Sequence, residues 1–375
     1  MMVILYSYFG YPAILWLLTK TERKKGRGDQ VRTDKSLPKV SLLISAYNEE
    51  RTIEDKILNS LKLKYPKKLL EIVVVSDGSV DRTDQIVTNY AGKGIILRSY
   101  GGRIGKTACI NKAVPLAEGD IIVFSDANSK YDRNTLRELV KHFKDETVGF
   151  VTGFTRYISE KSDGVIDSVS LYSRIELFTK QLESTIGSCV GADGAVFAIR
   201  KPLYRELKDT DINDLVIPFM IIKQGYKGIL EEKASCFEKT AKTARGEFYR
   251  QMRITNRTIR AIFNNRDLLN PFRFGLFSFQ LFSHKICKLI VPFFLLILLL
   301  ANIFLFSRGL FYSFTMFGQF LLYSLSFAGS LSSSSGNPSR LLSAARTFTV
   351  VNCAILFGWF KFFKGDTYTQ WSICR

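Results

Sequence analysis

Three short apolar runs in the first third of the chain each stop at a cluster of acidic or amide side chains. The runs cover residues 40–45, 71–76 and 120–125, and they lead into residues 46–49, Asp77 and residues 126–128. Runs of β-branched and aliphatic residues separated by helix-length stretches predict buried parallel strands of a βαβ sheet. Ligands bind beyond the carboxyl ends of such strands, so the three runs deliver polar side chains to one rim of the sheet.

Helical periodicity fills the stretches between and after these runs, at residues 50–63, 82–91, 106–117 and 134–143. Strands that alternate with helices of this length predict a single α/β domain of nucleotide-binding type. The carboxylates at its rim predict a site that holds a divalent cation together with a phosphorylated nucleotide.

The chain is strongly basic, because its 375 residues include 53 Lys and Arg against 34 Asp and Glu, a formal net charge of +19. Much of this excess lies beside hydrophobic segments, for example at Arg23, Lys24 and Lys361. No zinc-finger spacing, helix-turn-helix pattern or aromatic RNA-binding signature accompanies it. Membrane proximity therefore explains the charge, and no nucleic-acid partner is expected.

Cysteine and histidine usage excludes several kinds of site. The 6 cysteines are scattered without a CxxC spacing, which argues against a disulfide scaffold or a zinc site and favours a reducing cytosol. The only histidines are His142, in a helical pattern, and His284, beside a membrane segment. A Ser/His/Asp triad or an HExxH metal site is therefore excluded, and both histidines are predicted to be structural.

Four apolar segments predict attachment to a membrane. Residues 2–18 form an uncharged, aromatic-rich run before a basic cluster, which predicts an anchor with its amino end outside. Residues 289–306 and 309–329 are each long enough to cross the hydrocarbon core, with residues 307–308 as a tight hairpin. The last stretch, residues 347–360, is about 21 Å long as a helix, which favours a re-entrant or interfacial segment over a full span.

Residues 265–285 mix Phe and Leu with basic side chains, which predicts a helix along the membrane surface; an ordinary amphipathic surface helix is the alternative. The chain is therefore divided into a transmembrane helix (1–19), a basic linker (20–37), a cytosolic domain (38–264) and a membrane region (265–375). The membrane region holds the interfacial helix, two transmembrane helices and the short segment, re-entrant or transmembrane.

The residues at the strand ends suit nucleotide and metal binding. Asp77 can accept hydrogen bonds from a base or a ribose. Asp81, in the same loop, is as well explained as a cap of the next helix. Asp126 and Asn128 offer one carboxylate and one amide, hard oxygen ligands that suit Mg²⁺ or Mn²⁺ bound together with a diphosphate.

A glycine-rich basic loop at residues 101–107 precedes a helix and nearly spells a phosphate-binding P-loop. A P-loop needs four residues between its glycines, whereas Gly101 and Gly105 enclose three. Lys106 is interpreted either as a contact to a diphosphate or as a solvated charge.

Asp214 precedes an apolar helix at residues 215–223. Its carboxylate is interpreted either as a helix cap or as a base that removes a proton from an acceptor hydroxyl. Before it, small residues at 191–195 introduce a strand-like run and let the backbone approach a ligand closely.

An arginine-rich stretch predicts a helix at residues 247–264. Spacings of three and four put Arg250, Arg253, Arg257 and Arg260 on nearly one face. Guanidinium groups on such a face suit a diphosphate or anionic lipid headgroups.

In this order the motifs resemble the membrane-embedded branch of the family 2 glycosyltransferases, which includes cellulose, hyaluronan and poly-N-acetylglucosamine synthases. The resemblance covers residues 38–264 and, loosely, the flanking spans. It implies a GT-A-type domain, with a Rossmann-like mixed sheet, that transfers a sugar from a nucleotide sugar. For the donor, the resemblance assigns the nucleoside, expected to be uridine, to Tyr47, Glu49 and Asp77, and the diphosphate to Lys106. Asp126, which also faces the nucleotide, and Asn128 occupy the metal-binding DxD position. For the acceptor, it assigns the pocket to Asp193 and Gly194 and the catalytic base to Asp214, with Asn213 in place of the usual preceding acid.

The QxxRW signature of this family is present only in part. Arg250 stands for its Gln, Arg253 matches its Arg, and Ile254 stands for its Trp. In processive members that Trp stacks beneath the acceptor sugar, and Trp371 is the residue that can take a similar role here. The resemblance therefore implies sugar transfer and leaves processive polymerisation open.

The sequence thus predicts an inverting, metal-dependent hexosyltransferase that uses Mg²⁺ or Mn²⁺, a multi-pass plasma-membrane protein with its catalytic domain in the cytosol. Its expected partners are a nucleotide sugar, with a UDP-sugar preferred, a growing polysaccharide or lipid-linked acceptor, and membrane lipids. Two alternatives remain open: a membrane-anchored protein that binds nucleotides or anionic lipids, and a P-loop-like ATPase.

Overall fold

A single mixed sheet organises the part of the chain between the membrane helices. The computed structural model describes residues 1–22, 37–158, 171–239, 244–332 and 339–369, so the basic cluster that starts at Arg23 and the Trp371 side chain lie outside it. The strands are β1 (Val40–Ala46), β2 (Leu70–Ser76), β3 (Ile95–Ser99), β4 (Ile121–Asp126), β5 (Lys130–Tyr131), β6 (Val148–Ile158), β7 (Phe197–Arg200) and β8 (Lys227–Lys239).

The sheet has the order β3-β2-β1-β4-β7-β6-β8-β5. Its first four strands are mutually parallel, as the sequence predicts for the runs that become β1, β2 and β4. β7 then pairs antiparallel with β4 and with β6, while β8 runs parallel to β6. The prediction of a mixed, Rossmann-like sheet is therefore confirmed.

Helices cover the sheet and continue into the membrane region. They are α1 (Met2–Leu5), α2 (Tyr11–Glu22), α3 (Ile53–Leu61), α4 (Thr83–Thr88), α5 (Lys106–Leu116), α6 (Thr135–Val140), α7 (Leu171–Ile186), α8 (Asn213–Lys223), α9 (Ala244–Asn264), α10 (Pro271–Phe274), α11 (Leu276–Leu281), α12 (Cys287–Leu305), α13 (Leu310–Ser332) and α14 (Arg340–Phe363). Short π-helical turns at Tyr6–Gly10 and Phe282–Ile286 join α1 to α2 and α11 to α12.

The register of the parallel strands brings their carboxyl ends to one level. Ala46 of β1 pairs with Ser76 of β2, and Ser45 pairs with Asp126 of β4. The residues that follow these strands, Tyr47 and Asp77, therefore lie at one rim together with Asp126. This is the rim that the sequence predicts.

Both faces of β1 are buried, because each face of the sheet has its own apolar core. Leu42 and Ile44 point into a cluster that includes Ile57 of α3 and Leu136 of α6. Leu43 points into the opposite cluster. That second cluster is formed by residues of α5, α8 and α9 and continues into the membrane region through Phe277, Leu289, Val351 and Ile355. The membrane helices thus pack onto the same face of the sheet as α5 and α8.

Three helices of the described chain are long and apolar enough to cross a membrane, by length and composition alone: Met2–Lys20, Leu276–Arg308 and Leu341–Phe363. The first two correspond to the predicted segments 2–18 and 289–306. The predicted span at 309–329 forms the helix α13, which buries polar side chains against its neighbours. Its buried Gln319 donates from Nε2 to the Leu295 carbonyl (3.0 Å) and accepts from Asn302 Nδ2 (3.1 Å), so the polar groups face α12.

Two predictions about the membrane region are wrong in extent. The stretch 347–360 belongs to α14, a helix of 24 residues, so the short length that favoured a re-entrant segment is not observed. Residues 265–285 do not form one interfacial helix. Pro271 begins the four-residue α10, and Gly275 has a φ of 53°, a conformation that suits glycine and breaks the helix before α11.

The close packing of β6 on β8 generates the first prediction. Gly228 pairs with the fully buried Phe150, and a Cβ built on Gly228 would overlap the Phe150 ring. Gly228→Ala is therefore expected to lower the free energy of unfolding by about 1–3 kcal/mol. Thermal unfolding of the full chain in detergent measures this change.

Gly92→Ala is the matched control, since a Cβ built there has no atom within 4 Å. Its effect is expected to stay within about 0.5 kcal/mol. Equal unfolding temperatures for Gly228→Ala and the wild-type chain would show that the β6–β8 packing is looser than described.

Candidate active site

Asp77 stands at the carboxyl end of β2 and is 1% exposed. Its Oδ1 accepts the backbone N–H of Gly105 at 2.8 Å and the thiol of Cys109 at 3.4 Å. Its Oδ2 is buried and has no hydrogen-bond partner in the described part of the chain. One oxygen thus fixes the glycine-rich loop, and the other is left to accept from a ligand.

The loop after β2 is held by hydrogen bonds of its own. Asp81 accepts the backbone N–H groups of Thr83 (3.0 Å) and Glu50 (3.1 Å), while the N-cap residue of α4 is Arg82, so Asp81 braces the turn that precedes the helix. Those hydrogen bonds outweigh desolvation, which acts in the opposite direction, and lower the pKa of Asp81. Gly78 has a φ of 66°, and a Cβ built there would lie 3.0 Å from the Arg103 backbone nitrogen. The loop therefore needs a glycine at this turn.

Tyr47 and Glu49 lie at the same rim but differ in their surroundings. The Arg103 guanidinium sits over the Tyr47 ring, 4.5 Å from its centroid, which brings the glycine-rich loop onto the end of β1. Glu49 accepts the Thr52 hydroxyl at 2.6 Å, and its backbone N–H donates to Thr83 Oγ1 at 2.7 Å. Glu49 therefore helps to build the start of α3, whereas Tyr47 presents an aromatic face.

Lys106 begins α5 directly after Gly105, and its ammonium forms an ion pair with Asp126 Oδ1. Both side chains are only partly exposed, at 20% for Lys106 and 28% for Asp126. Gly105 has a φ of 98°, so the chain turns sharply between the Asp77 contact and the lysine. The solvated-charge interpretation of Lys106 is wrong, because the ammonium lies against a carboxylate of the site.

A buried lysine supports the turn that carries Asp126. Lys56 of α3 is 1% exposed, and its Nζ donates to Ser125 Oγ and to the Ser129 carbonyl, both at 2.7 Å. Burial lowers the pKa of Lys56 to about 8. Sequence reasoning missed this residue; the signal was its spacing, since Lys56 falls on the buried face of α3 with Ile53 and Ile57.

The loop at 191–195 is close-packed around the protein's own carboxylates. Asp193 accepts the Thr155 backbone N–H (2.9 Å), the Thr155 hydroxyl (2.8 Å) and the Ala195 N–H (3.1 Å), so its carboxylate is committed to the loop. A Cβ built on Gly194 would lie 3.0 Å from Asp214 Oδ2. The small residues predicted to admit a ligand thus admit the side chain of Asp214.

Asp214 lies in the first turn of α8, whose N-cap residue is Ile212 without a side-chain cap. The capping interpretation of Asp214 is therefore wrong. Burial raises the pKa of Asp214, and the nearby Lys106 charge partly offsets that rise. Asp214 is thus a half-buried carboxylate, more basic than usual, within the electrostatic reach of the lysine that pairs with Asp126.

The four predicted arginines do lie on one helix, α9, and all are half-buried. Arg250 forms a two-point contact with Glu247, at 2.9 and 3.0 Å. Arg257 donates to the Asp211 carbonyl, and burial lowers its pKa to about 10. Arg260 Nη2 donates to the Asp366 carbonyl at 2.8 Å, while Arg253 lies close enough for its charge to act on Arg257. Three of the guanidinium groups are therefore engaged with the protein itself.

Glu238 on β8 is a second residue that sequence reasoning missed. Burial, with the added charges of Asp126 and Asp193, raises its pKa to about 8, and its Oε1 has no hydrogen-bond partner in the described chain. No local motif marks it, because it reaches the site only when β8 pairs beside β6. The structure thus adds a protonatable carboxyl to the rim.

The donor set suits a divalent ion that shares its shell with a substrate. Within the described ranges, no group of three or more His, Cys, Asp or Glu side chains is arranged to hold a metal. Asp126 and Asn128 are both half-buried at the rim, and the unpartnered Glu238 Oε1 lies nearby. Mg²⁺ is usually bound by a few protein oxygens, with phosphate oxygens of the substrate completing its coordination shell. These residues fit an ion bound in that way.

Comparison with known proteins fits this geometry. Residues 41–207 match the model of the family described as Glycosyl transferase family 2. Residues 41–207 therefore form a family 2 glycosyltransferase domain. The match begins in β1 and covers the rim from Tyr47 through the loop at 191–195, which agrees with the resemblance drawn from the motifs.

Two curated relatives are similar to part of this chain. The poly-beta-1,6-N-acetyl-D-glucosamine synthase of Staphylococcus aureus (strain COL) is 28% identical over 222 residues, 57% of this chain and 53% of the relative. The probable glycosyltransferase YdaM of Bacillus subtilis (strain 168) is 37% identical over 131 residues, 33% of this chain and 31% of the relative. The chain thus spans at most about half the length of these two relatives.

A solved structure shares the fold over almost the whole chain. The mannosyltransferase PcManGT from Pyrobaculum calidifontis, in complex with GDP-Man and Mn²⁺, superposes with a TM-score of 0.70 at 22% identity. The similarity covers 97% of this chain and 98% of that one. The GT-A fold of the glycosyltransferase domain is therefore confirmed.

The raised pKa of Glu238 generates a prediction about pH. Between pH about 4.5 and 8 the folded domain keeps a proton on Glu238 that the unfolded chain has released, so stability should fall as the pH rises through this window. Glu238→Gln cannot lose that proton and should flatten the decline. Unfolding temperatures of both proteins, measured in a metal chelator at several pH values, test this.

Glu232→Gln, an exposed position on the same strand, is the control and should keep the wild-type pH dependence. If the unfolding temperature of Glu238→Gln falls with pH as steeply as that of the wild-type chain, the Glu238 carboxyl group is in contact with water.

Proposed function

We propose that this protein is an inverting glycosyltransferase that transfers a sugar from a nucleoside diphosphate sugar to a hydroxyl group of a polysaccharide or glycolipid. The observation that carries the proposal is the position of Asp214. Its half-buried, unusually basic carboxylate lies against Gly194 and within reach of the Lys106 charge, at the rim that also bears Asp126. A carboxylate with a raised pKa is a suitable general base near neutral pH.

The nucleotide sugar would bind along the ends of β1, β2 and β4. Asp77 Oδ2, buried without a hydrogen-bond partner in the described residues, is available to accept from the base. Tyr47 offers a ring face beside it. Lys106, which forms an ion pair with Asp126, would contact the diphosphate. Asp193, by contrast, acts through the loop, because its carboxylate is occupied by Thr155 and Ala195.

Asp126 and Asn128 would hold Mg²⁺ or Mn²⁺ together with the donor diphosphate. Bound there, the ion would neutralise the charge that develops on the departing nucleotide. Asp214 would accept the proton of the acceptor hydroxyl, on the side of the site formed by the loop at 191–195. Holding donor and acceptor in line contributes much of the remaining acceleration.

We propose a UDP-sugar as the donor, with the domain at the cytosolic face of the plasma membrane and a multi-pass attachment. The basic residues beside the apolar segments support this orientation. The named product of the staphylococcal relative, a polymer of N-acetylglucosamine, supports a polysaccharide acceptor. The GDP-Man in the archaeal structure makes GDP-sugars the first alternative donors.

Neither alternative function has comparable support. A P-loop needs its backbone N–H groups for phosphate, whereas the Gly105 N–H is committed to Asp77. A lipid sensor would need exposed guanidinium groups, whereas Arg250, Arg257 and Arg260 donate to Glu247, Asp211 and Asp366. The family 2 match agrees with glycosyl transfer instead.

Asp214→Asn tests the base directly. The substitution keeps the size of the side chain but removes its basicity, so transfer should fall by about 10²- to 10⁴-fold while donor binding stays within twofold. Isolated membranes that contain the full chain are incubated with a panel of labelled UDP- and GDP-sugars and Mn²⁺, and transfer to product is counted.

Asp209→Asn, an exposed position close in sequence, serves as the matched control and should transfer like the wild-type chain. Full transfer by Asp214→Asn, or no transfer from any donor by the wild-type chain, would refute the proposal.

If Asp126 and Asn128 hold the metal ion, two substitutions should change its affinity in opposite directions. Asp126→Asn removes the only carboxylate of the pair and should raise the Mn²⁺ concentration for half-maximal binding about 10- to 100-fold. Asn128→Asp adds a carboxylate and should lower that concentration, because affinity rises with ligand charge. Titration of purified protein with Mn²⁺ plus UDP, followed by electron paramagnetic resonance, measures both; equal affinities in all three proteins would exclude this pair as the metal site.

A further inference from the structure

A chain of buried ionisable side chains joins the membrane helices to α7. At its centre is Glu183 of α7, which is 0% exposed. Glu183 Oε1 accepts the Tyr11 hydroxyl of α2 at 2.7 Å and lies 2.7 Å from His284 Nδ1. Tyr11 and His284 are themselves buried, so one carboxylate oxygen connects three helical segments away from water.

The connected series of ionisable side chains continues on the other side of the His284 imidazole. His284 Nε2 lies 2.8 Å from Glu176 Oε1, and Lys288 donates to Glu176 Oε2 at 2.7 Å. Lys285 lies 3.8 Å from the same carboxylate. The two carboxylates are thus balanced by two lysines with the imidazole between them, the condition under which charges are tolerated in a protein interior.

The backbone is irregular at this place in both membrane segments. His284 lies in the π-helical turn Phe282–Ile286, and the turn Tyr6–Gly10 stands opposite. The Tyr6 hydroxyl and Ser283 Oγ are 2.7 Å apart, which ties the two turns together. π-helical turns recur at functional sites, and ionisable groups within membrane segments usually serve a function.

The second oxygen of Glu183 points to the active site. Glu183 Oε2 accepts the backbone N–H of Val190 at 3.4 Å. Val190 leads into the loop at 191–195, where the Ala192 N–H donates to the Asp214 carbonyl at 2.7 Å. A Cβ built on Gly194 would lie 3.0 Å from Asp214 Oδ2, so this loop packs against the Asp214 carboxylate. Glu183 is therefore connected on one side to the membrane helices and on the other to the support of Asp214.

We propose that Glu183 is a positioning residue that fixes the acceptor side of the site relative to the N-terminal membrane helix. It does so through Val190 and the loop beneath Asp214, and it takes no part in the chemistry. The inference rests on the proposed role of Asp214 as the base. It means that α2 is part of the catalytic unit, since Tyr11 fixes the carboxylate from the membrane side.

Stability alone is a weak reason for such a cluster. A buried ion-pair network usually contributes no more than well-packed apolar residues of the same volume, because desolvation offsets the Coulomb attraction. Its directional hydrogen bonds, however, define one arrangement of the helices, which apolar packing does less strictly. Position is therefore the property that the network supplies.

The test separates position from folding by comparing two fates of the donor. Water can replace the acceptor, so donor hydrolysis reports the donor half of the site, whereas transfer needs both halves. Tyr11→Phe removes one hydrogen bond and keeps the ring; Glu183→Gln keeps the shape and removes the charge. The assay uses isolated membranes and the labelled donor from which the wild-type chain transfers sugar. Each variant should lower the ratio of transfer to hydrolysis by about 3- to 30-fold. The KM for donor in the hydrolysis assay should stay within twofold.

Gln319→Leu is the matched control, because Gln319 is also a buried polar residue between membrane helices, and its hydrogen bonds go to Asn302 and Leu295 of α12 and to Tyr323 of α13. It should lower the unfolding temperature and leave the ratio unchanged.

Two results would overturn the inference. In the first, folded Tyr11→Phe and Glu183→Gln proteins keep the wild-type ratio. In the second, transfer and hydrolysis fall together, in proportion to the loss of folded protein, which would make the network structural. Asp214→Asn in the same assay distinguishes the failure of the two proposals. If Asp214→Asn transfers sugar normally, the assignment of Asp214 as the base fails. If Asp214→Asn loses transfer but Tyr11→Phe and Glu183→Gln keep it, only the proposed role of Glu183 fails.

Discussion

The ammonium group of Lys106 is the charge on which the arrangement of the site depends. Asp126, Asp193, Asp214 and Glu238 come from different strands and loops to one rim, and like charges at such a place repel. Lys106 pairs with Asp126 and opposes the rise in the pKa of Asp214. Its place is set by the preceding residue, since Gly105 is held by Asp77 through its backbone N–H. One turn of backbone thus connects Asp77, at the end of β2, to the acidic end of the rim.

Behind that rim lies a layer of side chains that hold the loops. Lys56 supports the turn after β4 from below, and the Tyr131 ring lies 3.9 Å from its ammonium. The Tyr131 hydroxyl lies within hydrogen-bond distance of the carbonyls of Phe124 (3.0 Å) and Ala195 (2.9 Å), which links β4 to the loop at 191–195. A site whose loops are cross-linked in this way is pre-organised, as electrostatic catalysis requires.

The membrane helices are continuous with this layer. The apolar cluster on one face of the sheet passes through α8 and α9 into α12 and α14. After α14 the chain returns to the domain, where the Arg260 guanidinium and the Asn256 amide donate to the Asp366 carbonyl. A Cβ built on Gly105 would lie 2.7 Å from the Thr369 carbonyl, so this returning segment reaches the glycine-rich loop itself. The candidate active site and the long apolar helices therefore share one packed structure.

The sequence by itself determined the parallel strands, their common rim and the residues that stand on it, because alternation of apolar runs and polar ends is a local property of the chain. It also determined where most membrane helices begin, from apolar length alone. It did not determine what each polar residue contacts. Glu238, Lys56 and Glu183 belong to no sequence motif. The sequence also does not distinguish Asp193, whose carboxylate accepts hydrogen bonds within its own loop, from Asp214, the proposed base. Those distinctions depend on which strands pair and which helices pack together, and long-range contacts of that kind exist only in the folded chain.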